Sequence, residues 1–241
     1  MAANQDTFAR LQQDILLLQG FKPATTQITN WHGLEQLKSA FPNGVFPTGA
    51  VHEFFCTGPE TVSTSAGFVS GILSSLLKQQ GATIWISPGK MIFPPALKHF
   101  GMDPEKVIFI HLKNEKEKLF VMEEALKCDS VSAVVGQINE ISLTESRRFQ
   151  LAVEHSKVTG FLIRQNPRNI MTSCVTRWQI APLPGDDTAG LPGVGFPKWD
   201  VQLLKVRNGK PGRWEMQWQS GRFQVTPKYS FEIKVPIRKI V

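Results

Sequence analysis

The stretch Gly58-Pro59-Glu60-Thr61-Val62-Ser63-Thr64-Ser65 is the first place in this chain where residue type and spacing suggest chemistry. Small polar residues lie there between an apolar run, 51–55, and a helical stripe of Phe68, Val69, Ile72, Leu73, Leu76 and Leu77. That is the setting of a phosphate-binding loop, where backbone amides and a helix N-terminus hold the anion. The pattern G-x-x-x-x-G-K-[ST] needs a second Gly, a Lys for the outer phosphates and a hydroxyl for Mg²⁺. Here those positions hold Ser63, Thr64 and Ser65, and no Lys lies between Lys38 and Lys78. The acidic partner is missing too, because the apolar run 131–135 ends in Gly136-Gln137 rather than Asp. The expectation is a degenerate phosphate loop (Gly58, Pro59, Glu60, Ser63, Thr64, Ser65) with no catalytic residues and no cofactor. Weak nucleotide binding with ATP turnover is the alternative it leaves open.

The second chemistry on offer is attraction to phosphate. Lys205, Arg207, Lys210 and Arg213 bracket the turn Asn208-Gly209-Lys210-Pro211-Gly212 and form a candidate DNA-binding hairpin. A solvated hairpin reads equally well from the same residues. Trp214 and Trp218 follow, and an exposed indole could stack on a base. On a strand, however, Trp214, Met216 and Trp218 share one face, which favours the core. Arg164, Arg168 and Arg177 form a second candidate set, because Arg164 ends a strand at the sheet edge where open α/β sheets bind ligands. Arg147 and Arg148 are helical and suit ion pairs with Glu145 or Glu154, a protein interface, or DNA. Phe8, Leu11, Ile15 and Leu18 make an apolar stripe that fits either a partner or the chain's own domain. Cys56, Cys128 and Cys174 and the five histidines are scattered, with no pair at metal spacing, so no metal site is expected. Neither a Gly-x-Ser-x-Gly elbow nor a His-Glu-x-x-His motif occurs, which removes the usual hydrolase signatures.

These residues need elements to hold them. The periodicity predicts helices over 4–19 and 34–40, a strand over 51–55, and a polar loop over 58–67 before the next helix. A strand follows at 83–87, then a short helix at 94–100 and a strand at 107–111. A charged helix is predicted over 115–127 and a strand over 131–135. Ser142-Leu143-Thr144-Glu145 has capping-box spacing for a helix to about residue 157, and a fifth strand is predicted at 159–164. Alternating strands and helices imply right-handed crossovers and a mostly parallel twisted sheet with helices on both faces. Beyond residue 170 only strands are predicted: 173–181, 200–207, 214–219, 223–226 and 231–235. The expected organisation is a helical segment over 1–45, an α/β core over 46–181, a Gly/Pro-rich loop over 182–198, and an antiparallel basic strand region over 199–241 packed on the core.

Length and composition agree with this. The 241 residues are 41% hydrophobic and 20% charged, enough for a sizeable core. Met1 to Ser146 carries 11 basic and 14 acidic side chains, and Arg147 to Val241 carries 16 and 6, so the net +7 resides in the second part. No apolar run is long enough to cross a membrane, and no basic-then-apolar leader opens the chain.

Taken together, the residues resemble the RecA core, and more closely the RecA-like error-prone-repair family of ImuA type, itself similar to the division inhibitor SulA. The stretches that carry this are Phe46-Pro47-Thr48-Gly49-Ala50-Val51-His52-Glu53, Trp85-Ile86-Ser87, Phe93-Pro94-Pro95-Ala96-Leu97-Lys98 and Met122-Glu123-Glu124-Ala125-Leu126-Lys127-Cys128. Further matches are Ala133-Val134-Val135-Gly136, Arg147-Arg148-Phe149-Gln150-Leu151-Ala152-Val153 and Leu203-Leu204-Lys205-Val206-Arg207-Asn208-Gly209-Lys210-Pro211-Gly212. The resemblance implies a RecA-like α/β fold and a role in SOS-type mutagenic translesion synthesis. It implies two partners, a Y-family-polymerase-like protein of ImuB type and a specialised replicative-type polymerase, with single-stranded DNA as a further ligand. It places the protein in the cytoplasm, at the nucleoid on damage. It transfers no catalytic residue. A SulA-like division inhibitor acting on a tubulin-like protein is the alternative from the same resemblance, disfavoured by the basic strand-rich C-terminal region.

Overall fold

In the computed structural model the described residues are Leu11, 33–76, 81–90, 92–185 and 195–225. One nine-stranded sheet organises them, in the order β3-β2-β4-β5-β1-β6-β7-β8-β9. In chain order the strands are β1 (Val51–Cys56), β2 (Ala82–Ser87), β3 (Val107–His111), β4 (Val131–Gln137), β5 (Thr159–Gln165), β6 (Thr176–Leu183), β7 (Lys198–Val206), β8 (Gly212–Gln219) and β9 (Arg222–Val225). β1 to β6 pair in parallel, and β6 to β9 pair antiparallel. The C-terminal strands therefore continue the core sheet, because β7 pairs with β6 along eight positions from Thr176↔Val206 to Leu183↔Lys198. The expected strand at 231–235 lies outside the described residues.

Among the described residues the α-helices that cover the sheet are α1 (Pro59–Leu76), α2 (Glu115–Lys127) and α3 (Leu143–Ser156). Short 3-10 helices occupy Glu35–Ala40 and Pro94–Phe100. The capping box of α3 is present in full, with Ser142 Oγ accepting from Glu145 N and the Glu145 carboxylate accepting from Ser142 N. The last described strands pack on the α1 face. Phe223 of β9 sits over Gly71, where a Cβ would lie 2.5 Å from the ring. Only glycine lets the strand approach the helix this closely.

Burial follows the strand pattern. β1, β4 and β5 are covered on both faces and are buried along nearly their whole lengths, polar residues included. The α1 face holds an aromatic core of Phe54, Phe68, Phe161, Trp178, Trp199 and Phe223. Two indoles on this face have acceptors: Trp178 Nε1 donates to Thr176 Oγ1 at 2.7 Å, and Trp218 Nε1 to the His99 carbonyl at 2.7 Å. Met216 and Trp218 are buried and Trp214 packs against this core, as their shared strand face predicts. The opposite face packs α2 and α3 around Val51, Met122, Leu126, Phe149 and Leu162.

Candidate functional site: a filled strand-to-helix turn and a row of cations

β1 leads into α1 through Thr57 and Gly58 alone. Helix begins at Pro59, so the polar loop expected over 58–67 does not exist. Pro59 stands in the first helical position, where its missing N–H costs nothing and its fixed φ suits the helix. Glu60, Ser63, Thr64 and Ser65 thus lie on helical turns rather than in a cradle. The turn amides are also already used. Thr61 Oγ1 accepts from Thr57 N at 2.9 Å and from Gly58 N at 3.0 Å, and donates to the Gly58 carbonyl at 2.8 Å. The Glu60 carboxylate folds against Gly58, 2.7 Å from where a Cβ would stand, which puts negative charge at the helix N-terminus. Thr64, at the position of the phosphate-loop Lys, turns its hydroxyl back to the Glu60 carbonyl at 2.7 Å. Ser65 is fully buried with its Oγ 3.3 Å from Cys56 Sγ. Burial pushes the Cys56 thiol up, against the pull of the Ser65 and Thr61 hydrogen bonds.

The end of β4 is equally closed. Lys118 of α2 is buried, pairs with Glu115 and donates to the Gln137 carbonyl at 3.0 Å. Glu115 also accepts from Asn139 N at 3.2 Å. The pair of buried Lys118 with Glu115 therefore caps the end of β4, and neither residue is marked by its spacing in the sequence.

The second site is built around Glu53 of β1, which is fully buried. Arg164 of β5 donates to its Oε2 at 3.1 Å, Arg177 of β6 to Oε1 at 2.8 Å, and Thr172 Oγ1 to Oε1 at 2.7 Å. The Phe55 ring lies 4.7 Å from the Arg177 guanidinium and 5.6 Å from that of Arg164. The β5–β6 connection runs back over this cluster, and cations hold its carbonyls one after another. Arg164 takes Asn169 O at 2.7 Å, Arg177 takes Ile170 O, Lys205 takes Thr172 O at 3.4 Å, and Arg207 takes Ser173 O at 2.9 Å. Cys174, a buried residue near the end of this connection, is pushed up to about 12 by burial and then by the Glu53 charge.

The two cation sets predicted separately are thus joined, because antiparallel pairing sets Arg177 opposite Lys205. Their roles differ from the expectation. Arg164 has no exposure and is removed from the candidate DNA contacts, since its guanidinium is consumed by Glu53, Asn139 O and Asn169 O. Arg177, Lys205 and Arg207 are part-buried and spend hydrogen bonds on the loop. Arg213 is exposed but forked onto Asp200 at 2.7 and 2.9 Å, and that carboxylate raises its pKa. Lys210 and Arg168 are exposed, and among the described residues their side chains have no hydrogen-bond acceptor. Glu53 was missed because nothing local marks it. One acid in an apolar strand is a signal only once its partners, far along the chain, are known. Of the N-terminal stripe, Phe8, Ile15 and Leu18 lie outside the described residues, and Leu11 is helical and exposed.

No metal-holding group of His, Cys, Asp and Glu occurs among the described residues, and among them no helix is long and apolar enough to cross a membrane. No protein-family model matches the chain. The chain is 32% identical over 200 residues to the protein ImuA of Caulobacter vibrioides, covering 78% of this chain and 82% of that one. It is 26% identical over 136 residues to the cell division inhibitor SulA of Yersinia pseudotuberculosis, covering 56% and 80%. Among solved structures the RadB recombinase superposes with a TM-score of 0.56 at 13% identity, over 83% of this chain and 100% of that one, a likeness of fold alone. With the RecA-like sheet order in place and most of both chains aligned to that first relative, the chain belongs to the ImuA family.

Proposed function

We propose that this protein is a non-catalytic accessory factor in DNA-damage-induced, error-prone lesion bypass, binding a polymerase-like partner and DNA rather than turning over nucleotide. Family membership supports the DNA-damage setting. The observation that carries the non-catalytic half is the filled turn. Thr61 occupies the amides that would hold a phosphate, Glu60 supplies charge of the wrong sign, and Thr64 replaces the lysine. An anion entering there would have to displace a buried hydroxyl and overcome like-charge repulsion. The basic second part of the chain supports contact with a polyanion, through Lys210 and Arg213 at the hairpin rather than through Arg164.

Two measurements on the purified full chain test this. Labelled ATP should neither bind at millimolar concentration nor be hydrolysed. Turnover that disappears in Ser65→Ala overturns the reading. Co-purification with the polymerase-like partner should succeed and with a tubulin-like protein should fail. The reverse result assigns the chain to division control instead.

A further inference from the structure

The ten strongly exposed large apolar residues among the described residues are not scattered evenly. Four of them, Leu143 (46%), Leu151 (57%), Ile170 (57%) and Met171 (67%), belong to α3 and the β5–β6 connection. Single exposed apolar residues need no explanation, but a cluster does. Leu143, Arg147 and Leu151 are four apart, so they form one line along α3 about 12 Å long. The connection lies along the first turn of the same helix. Arg168 N donates to Glu140 Oε1 at 3.0 Å, Asn169 Nδ2 to Ile141 O at 3.1 Å, and Ser173 N to Ser146 Oγ at 3.0 Å. Ile170 and Met171 therefore stand on a loop tied to the N-terminal end of α3, the end that carries Leu143.

The backbone of the connection is tied down. Four cations fix the connection's carbonyls, and Asn169 Oδ1 accepts from Met171 N at 2.9 Å. A backbone already ordered has less entropy to lose on binding, which favours an interface anchor. The polar groups around it point to one kind of occupant. Among the described residues the Arg147 and Arg168 guanidinium groups have no hydrogen-bond acceptor, although Glu140 lies close enough to feel the Arg168 charge, and the neighbouring carboxylates already receive donors. Glu140 accepts from backbone at 168 and Glu145 from the Ser142 cap. The patch offers unused donors and aliphatic anchors, and no aromatic ring belongs to it for a base to stack on.

We infer that this patch docks an acidic amphipathic helix of another protein, with aliphatic anchors between Leu143, Leu151, Ile170 and Met171 and carboxylates on Arg147 and Arg168. The chain's own termini do not fit. Residues 1–32 carry two acids and two bases, and 226–241 carry one acid and four bases. A second copy, at net +7, is not a net acidic occupant. The inference rests on the partner-binding reading above and gives that reading a surface.

The test is quantitative binding of the full chain to the purified polymerase-like partner, by wild type, Leu151→Asp, Met171→Asp and Arg147→Glu. All three side chains are exposed, and unchanged melting temperatures check the fold. More than tenfold weaker binding by each variant, with DNA affinity unchanged, supports the inference. A photo-crosslinker at residue 151 should then react with an acidic helical segment of the partner. Wild-type binding that the variants leave intact overturns this inference alone. Failure of the wild type to bind overturns the partner reading and this inference with it. Loss of DNA affinity with partner binding intact assigns the patch to nucleic acid and also overturns it.

Discussion

His52 illustrates how much one residue is constrained by its neighbours. It is fully buried, with ring centroids 4.5 Å from Phe46 and 5.4 Å from Phe161. Its partners fix its tautomer. Pro47 O can only accept, so Nε2 carries the proton and donates at 2.9 Å. Nδ1 then accepts from the Thr176 hydroxyl at 2.7 Å, which itself accepts from Trp178 Nε1. Burial pushes the ring's pKa down to about 3, with the Pro47 bond pulling the other way. The unfolded chain binds a proton near pH 6.5, whereas the folded chain does not until about 3. This contribution to stability is therefore complete above pH 6.5 and is lost as pH falls toward 3. The slope is about 1.4 kcal/mol per pH unit. Denaturant titrations at pH 7.5, 6.5, 5.5 and 5.0 should show that decline in the wild type. His52→Gln cannot titrate and should show a shallower one, and parallel curves would remove His52 as the source.

At the level of elements, much was legible and the exceptions have physical reasons. The helix over 115–127 and its bounds follow from paired charges with an Asn N-cap, and the α3 start follows from the capping box. The start of α1 was misread because small polar residues look like loop, while Pro59 followed by Glu60 is a helix-start signal that they obscured. The candidate cations were legible as charge but not as partners, because Arg164 and Arg177 find Glu53 at separations of 111 and 124 residues. The β7–β8 turn shows how one backbone position can seat an element. Lys210 N donates to Ala40 O at 2.9 Å, and a Cβ on Gly209 would lie 2.2 Å from that same oxygen. Gly209→Ala should therefore push the turn off the 3-10 helix at Glu35–Ala40 and destabilise the protein by about 1–3 kcal/mol. A Cβ on Gly89 meets nothing within 4 Å, so Gly89→Ala should melt close to the wild type. Equal melting temperatures for the two variants would dismiss this account of the turn.

For the molecule as a whole, the +7 charge has a distribution and a cost. Several of the cations are committed to holding the sheet and its long connection, so polyanion binding falls on those that stay exposed, Lys210 and, although it is paired with Asp200, Arg213. Lys210→Glu with Arg213→Gln should weaken single-stranded DNA binding and lower the slope of log affinity against log salt by about 1.4, on the order of two phosphate contacts. Lys205→Glu with Arg207→Glu should also lower the melting temperature, because their loop carbonyls lose donors. An unchanged slope in the first pair removes the hairpin from the DNA surface. The Glu53 cluster has a further consequence, in time rather than in space. β1 lies in the interior of the sheet, between β5 and β6, so its acid is made long before the arginines that neutralise it. At ribosomal speeds of about 5–20 residues per second that interval is roughly 6–25 s. Until β5 is made the central strand has neither of its sheet neighbours, and until β6 is made it has only one. The nascent chain therefore cannot close its core in order of synthesis, and the protein's assembly waits on the emergence of β6.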